Sequence, residues 1–280
     1  IIMFFLKVFA KFIGILLMIV GASVLIGLIV AMFSVGVADV IHIPGFDLID
    51  SANAANVPIW LISLLSLFAV GIPFFFLFYL GLKILVNNLK SIGNIAKFSL
   101  FGLWLMAIIG LIVIGARQAS EYNYDASTIT KEQLNITAND TLHLSMLENA
   151  TYSKHFGRHR EVFKTVYDEN DNKLIYTSDI RLIVRSTKDS VASINIEKNA
   201  HGKNYQEAKK RALDINYNYT LNGKSLLIDS YLTTPHNNKF RAQQVEVTLY
   251  LPEGTILYAD ENTYSFHRNT DHYNDILDNG

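Results

Sequence analysis

The chain has 280 residues, half of them apolar and only 18% charged, with a formal net charge of −1 and a mean hydropathy of +0.24. A single soluble domain is nearer a quarter charged, so a purely soluble protein is excluded, and the balanced charge gives no support for nucleic-acid binding. The absence of Cys excludes disulfides, Cys-ligated zinc and thiol catalysis. The charges are unevenly placed: residues 1–117 hold 6 of the 24 Lys+Arg and 3 of the 25 Asp+Glu. The first part therefore reads as a membrane region and the rest as a mildly acidic, water-facing one. Position 1 is Ile rather than Met, which points to a cut chain or a piece of a longer protein.

Residues 1–12 come first. Lys7 and Lys11 lie four apart on one helical face. The segment reads equally as an interfacial helix or as the ragged start of a span with snorkelling lysines. Three charge-free stretches follow: Phe12–Ala38, Val57–Leu82 and Phe98–Ala116. Each is long enough to cross about 30 Å of hydrocarbon, which takes about 20 apolar residues. The first is too long for a signal-peptide core and has no clean cleavage site after it. Nothing inside the spans is ionisable, which argues against pumping or ion conduction. Ser23, Gly27 and Ala31 recur every four residues and predict a helix-association face. Pro58 and Gly71-Ile72-Pro73 predict a static kink near residues 69–73 of the second span. Trp60, Tyr79 and Trp104 are the polar-tipped aromatics of the spans, with Trp60 and Tyr79 placed as interface anchors.

Lysine placement predicts the orientation. Lys7 and Lys11 precede span one, and Lys83, Lys90 and Lys97 fill the second loop without an acid. The first loop carries Asp39, Asp47 and Asp50 and no base. The amino-terminal side and second loop are then cytoplasmic, and residues 118–280 lie outside, in the periplasm of a cell with two membranes. The expected protein is a multi-pass inner-membrane protein with the lipid bilayer as its first partner.

Residues 118–150 read as a polar linker, and residues 151–280 as an exterior β domain. EVFKTVY (161–167) and KLIYT (173–177) flank the turn-rich DENDN. DIRLIVRS (179–186) and VASINIEK (191–198) alternate, turn Ile180, Leu182, Val184 and Ala192, Ile194, Ile196 inward, and suggest a hairpin across TKDS. Asn204 caps a short helix over 204–213, with Glu207 at the reciprocal position. INYNYTL (215–221) and KSLLIDS (224–230) are joined by Asn222-Gly223, a two-residue hairpin turn. QVEVTLYL, Pro252-Glu253-Gly254 and TILY give strand, turn, strand, and a polar tail follows. At least seven strands and one short helix predict a mostly-β domain, either a sandwich or a solenoid-like sheet.

No residue pattern points to catalysis or to a cofactor. His155 and His159 have helical ligand spacing, but Gly157 between them favours a surface loop over a metal site. His267 and His272 sit in the polar tail. There is no HExxH, GxSxG or phosphate-binding glycine loop. Asp168-Glu169-Asp171 reads as solvated turn charge, and Lys209-Lys210-Arg211 as a solvated helix face.

The segment DIRLIVRSTKDSVASINIEKNAHGKNYQEAKKRALDINYNYTLNGKSLLIDSYL, followed by VEVTLYLPEGTILYADEN, resembles the C-terminal region of Bacteroidetes PspC (phage-shock-protein-C) domain-containing proteins. IIMFFLKVFAKFIGILLMIVGASVLIGLIVAMF resembles the membrane region that follows the PspC domain in them. The strand–helix–hairpin part also resembles bacterial adhesin β domains. The resemblance implies an inner-membrane protein with an envelope-stress association and a cytoplasmic PspC domain upstream. It implies no catalytic residues. In such a lineage Asp50-Ser51-Ala52, Asp140-Thr141-Leu142 and Asp189-Ser190-Val191 match an O-glycosylation pattern, making Ser51, Thr141 and Ser190 candidate sites of a covalent glycan. The expected function is a non-enzymatic envelope-stress or scaffold protein. Its β domain would engage an envelope protein or a second copy as a homo-oligomer. The alternative is an adhesin-like or glycan-binding module, with Tyr122, Tyr124, Tyr217 and Tyr219 as stacking residues.

Overall fold

A computed structural model describes residues 2–41, 50–86, 88–148 and 163–269. The chain forms two compact units. The first is helical. The second takes the described residues 50–54 and those from Ala119 onward.

Three long helices make the first unit: α1 (Ile2–Ile41), α2 (Ile59–Leu85) and α3 (Asn94–Ser120). Each is long and apolar enough to cross a membrane. α1 runs unbroken from Ile2 into the apolar stretch, so Lys7 and Lys11 sit on the first turns of the span itself rather than on a separate interfacial helix. α1 and α2 pack antiparallel: Gly14 lies against Ile84 and Leu85, Gly21 against Phe78, and Gly71 near Leu25 and Leu28. A methyl group on Gly81 would stand 2.6 Å from the Gly14 carbonyl oxygen and 2.8 Å from the Met18 nitrogen, so only glycine allows the approach. This contact does not use the stripe expected to serve it. Ser23, Gly27 and Ala31 are exposed, and a Cβ on Gly27 would meet nothing within 4 Å.

α2 passes through Pro73 as one helix. Proline has no N–H, so the carbonyl four residues earlier, Ala69, loses its helical donor. The Trp104 indole of α3 donates to that carbonyl at 3.0 Å. In hydrocarbon, where water cannot reach, a neighbouring helix must supply such a donor. Further along α3, Gly110 approaches Leu65, which makes α2 and α3 antiparallel too. The Ala55 N–H donates to Gln118 Oε1 at 2.8 Å near the end of α3.

The second unit is mostly β. Its strands are β1 (Tyr124–Thr137), β2 (Thr141–Leu147), β3 (Lys164–Tyr167), β4 (Lys173–Thr177), β5 (Ile180–Thr187), β6 (Val191–Gly202), β7 (Tyr219–Asn222), β8 (Ser225–Asp229), β9 (Leu232–Pro235), β10 (Gln244–Pro252) and β11 (Ile256–Ala259). One sheet has the order β1-β6-β10-β5, a second β11-β2-β8-β7, and a third β3-β4-β9. Among the described residues none closes into a barrel. The core lies between the two larger sheets, where Ile136, Leu142, Leu144, Leu182, Ile194, Ile228 and Leu249 are fully enclosed.

Several expectations change. Residues 118–150 are not a linker: β1 and β2 fall within them and bury Leu134, Ile136, Leu142 and Leu144. β1 lacks a clear strand signal because Thr128, Thr130 and Glu132, in step with buried Ala126, Leu134 and Ile136, break the apolar alternation. β5 and β6 turn the expected residues inward, but they are not a hairpin. β10 inserts between them, parallel to β5 and antiparallel to β6. Alternation specifies which face is buried, not which strand is the neighbour. The turn of the β7–β8 hairpin is Gly223-Lys224, one residue later than expected, with Asn222 paired to Ser225. Gly223 takes φ +63°, the left-handed value suited to glycine at the first central turn position.

The short helix α4 (Tyr205–Leu213) forms as expected, with Asn204 Oδ1 accepting from the Glu207 N–H at 2.9 Å. The Glu207 carboxylate instead pairs with Lys203 and Arg211. α4 seats on the end of β6: a methyl on Gly202 would lie 2.6 Å from the Ala208 nitrogen.

The Pro73–Trp104 relation is testable by a double-mutant cycle. Trp104→Phe should cost about 1 kcal/mol in reversible unfolding in micelles, the usual scale for an interhelical hydrogen bond. In a Pro73→Ala background the backbone supplies the missing donor, and the cost should shrink. Equal costs in both backgrounds would show that the indole does not serve the proline-freed carbonyl.

Candidate functional site

The second unit contains a polar cluster assembled from the segments that lead to and from the spans. Its base is the loop His236–Gln243 between β9 and β10. Two of its non-glycine residues, Lys239 (φ +53°) and Ala242 (φ +50°), adopt the left-handed backbone. Such conformations cost about 1–3 kcal/mol each and persist only where surroundings hold them. Here Gln243 holds the loop: its Oε1 accepts from the Arg241 N–H and its Nε2 donates to the Lys239 carbonyl, both at 2.8 Å.

The loop presents Lys239 and Arg241. Arg241 is 3% exposed. Its Nη2 donates to the Ala54 carbonyl at 2.5 Å and its Nε to Glu121 Oε2 at 3.3 Å. Glu121 Oε2 also accepts from Arg211 Nη2 of α4 at 2.9 Å. One carboxylate therefore sits between two guanidinium groups. Burial lowers the Arg241 pKa from its ordinary value and the Arg211 charge adds to the shift, while Glu121 opposes both. A few residues away, Lys239 Nζ donates to Asp50 Oδ2 at 2.8 Å, and His236 Nε2 lies 3.4 Å from the same oxygen. Ser51 is wholly buried, with its hydroxyl 3.0 Å from Thr165 Oγ1 and 3.2 Å from His236 Nε2. The Phe240 N–H donates to the Ser51 carbonyl at 2.8 Å, and the Tyr122 hydroxyl donates to the Phe240 carbonyl at 3.0 Å.

Residues 50–54 continue in sequence toward α2, and Glu121 directly follows α3. The β unit thus grips both chain segments that join it to the helices. The grip consists of ion pairs and backbone hydrogen bonds. Among the described residues no cluster of His, Asp and Glu suited to a metal occurs.

The residues singled out in the sequence scatter. Ser51 belongs to this cluster, and its burial leaves no room for a glycan on the folded chain. Thr141 opens β2 and is exposed, as is Ser190 in the bend before β6. Of the four tyrosines, Tyr122 and Tyr124 are exposed, Tyr217 is buried at 5% exposure and Tyr219 is half-buried. Arg211 is not part of a solvated basic face: it turns in toward Glu121, while Lys209 and Lys210 stay exposed. His155, His159 and His272 lie outside the described residues. The 236–243 loop carried no periodic signal, and Glu121 stood in what read as linker.

Removing the shared carboxylate tests the cluster. Glu121→Gln leaves Arg241 without its carboxylate and Arg211 with Glu207 alone. Breaking a buried pair this way costs about 3 kcal/mol, or roughly 6–12 °C in the melting of a unit this size. Near-ultraviolet circular dichroism of the full chain in detergent should show that drop, and an unchanged transition would mean the carboxylate is dispensable.

Comparison with known proteins places both units. Residues 1–122 match the family model described as the PspC transmembrane region. Residues 166–280 match the one described as the ToastRack found in some PspC, which is a solenoid-like β fold. No curated protein and no solved structure gives a significant match. The chain is therefore a multi-pass membrane protein, similar over its helical part to a PspC transmembrane region and over most of its β part to the ToastRack found in some PspC.

Proposed function

We propose that this is a non-enzymatic inner-membrane protein of the envelope-stress or scaffold type, with its β unit in the periplasm. The β unit engages an envelope protein or a second copy of the chain, and the helices anchor or relay that state. The observation carrying this reading is the Glu121–Arg211–Arg241 cluster together with the Asp50–Lys239 pair. Through them, a change at the sheets bears directly on residues continuous with α2 and α3. The pairing of a PspC transmembrane region with a ToastRack domain supports the envelope-stress class. Orientation rests on lysine placement, with Lys83, Lys90 and Lys97 in or beside the second loop and only acids in the first.

The natural absence of cysteine makes orientation directly measurable. Ser190→Cys and Ser91→Cys both fall at exposed positions. A membrane-impermeant maleimide added to intact spheroplasts should label the first and should label the second only after permeabilisation. The reverse pattern would overturn the periplasmic placement. In-cell crosslinking through the Ser190→Cys position should also capture a heavier species, and recovery of monomer alone would count against the contact-making role.

A further inference from the structure

A groove opens on the face of the β1-β6-β10-β5 sheet that elsewhere forms the core. Inward-facing positions along β6 are Ala192, Ile194, Ile196, Lys198, Ala200 and Gly202. The second sheet covers the first three, and α4 sits over Gly202. Between the two covers the face turns polar. Lys198 lies there, and on the edge strand β1 the exposed Thr130 and Glu132, paired with Ile196 and Ile194, extend the polar strip between buried Ala126 and buried Leu134. The segment Tyr217–Leu221 forms the opposite wall. The cavity measures about 530 Å³, within the range of roughly 300–1,000 Å³ typical of small-molecule sites.

Polar side chains at core-facing positions would be a folding fault if the face were sealed. Here they line an opening, and their chemistry is specific. Glu132 Oε2 accepts from the Tyr219 hydroxyl at 2.5 Å, and Glu132 Oε1 has no protein partner among the described residues. The hydroxyls of Thr130 and Thr220 likewise have none. Lys198 Nζ is engaged by the Ile215 carbonyl at 2.9 Å. The lining therefore offers one carboxylate acceptor, two hydroxyls that both donate and accept, the Asn218 amide and the Tyr219 ring. Its single ammonium is already hydrogen-bonded, so an anion finds no cluster of positive charge. A carboxylate accepts well from ligand hydroxyls, and an aromatic ring meets the apolar C–H face of a sugar.

We infer that the Thr130–Glu132–Tyr219 groove binds a neutral oligosaccharide segment. This site is separate from the span-gripping cluster and does not require the periplasmic placement. Glu132 receives ligand hydroxyls, Thr130 and Thr220 fix ring orientation, and Tyr219 walls the groove.

The test uses the full chain in nanodiscs, because sugar-headed detergents would compete. Chitotetraose, cellotetraose, maltotetraose and mannotetraose are titrated by calorimetry, with inorganic phosphate as the anionic comparison. At least one sugar should bind saturably. Glu132→Gln and Thr130→Val should each weaken it at least tenfold with unchanged circular dichroism. Lys131→Ala, on the opposite face of β1, should leave it within twofold. No saturable binding by any of the four, binding indifferent to both groove variants, or phosphate binding as tightly as the best sugar would overturn the inference.

Discussion

A single half-buried carboxylate sets the frame of the polar cluster in the second unit. Glu121 neutralises two arginines that would otherwise repel, one from α4 and one from the strained loop before β10. Taking three charges out of water is expensive unless geometry and further hydrogen bonds compensate. Those bonds are present: Arg241 also reaches the Ala54 and Phe240 carbonyls, and Arg211 the His201 carbonyl. Because Glu121 follows α3 and Ala54 precedes α2, the energetic centre of the cluster coincides with the two points where the chain changes from helices to sheet. The left-handed Lys239 and Ala242 flank Arg241 in the same loop, which Gln243 braces through the Arg241 N–H and the Lys239 carbonyl.

The helical unit obeys a different constraint. In hydrocarbon the hydrophobic effect does not distinguish a neighbouring helix from lipid, so packing and hydrogen bonds decide association. Gly81 against Gly14 supplies close backbone approach, and Trp104 supplies a donor where Pro73 removes one. Proline in α2 is thus tolerated for an identifiable reason, and it specifies a partner on α3. The stripe Ser23–Gly27–Ala31 has the right spacing but is exposed, and a Cβ on Gly27 would meet nothing within 4 Å among the described residues.

Membrane spans were legible because length and lack of charge suffice to define them. α4 was legible from its Asn204 cap, and the β7–β8 hairpin from Gly223, although one residue of register was missed. What sequence concealed was non-local. The insertion of β10 between β5 and β6 depends on a strand more than forty residues away, which alternation cannot name. β1 hid behind Thr128, Thr130 and Glu132, the same polar interruption that opens the groove. The ion cluster joins residues 54, 121, 211 and 241, and no local pattern marks such a set. Burial of Ser51 was equally invisible, since a three-residue modification pattern carries no information about enclosure.

Hydrogen exchange on the full chain in nanodiscs tests the central claim most directly. If the β unit grips the span-linked segments, amides of residues 50–54 and 236–243 should be protected together in the native chain. Both should open together in an Arg241→Met variant while the β6 and β10 amides stay slow. Rapid exchange of residues 50–54 in the native chain, beside protected sheets, would contradict the account.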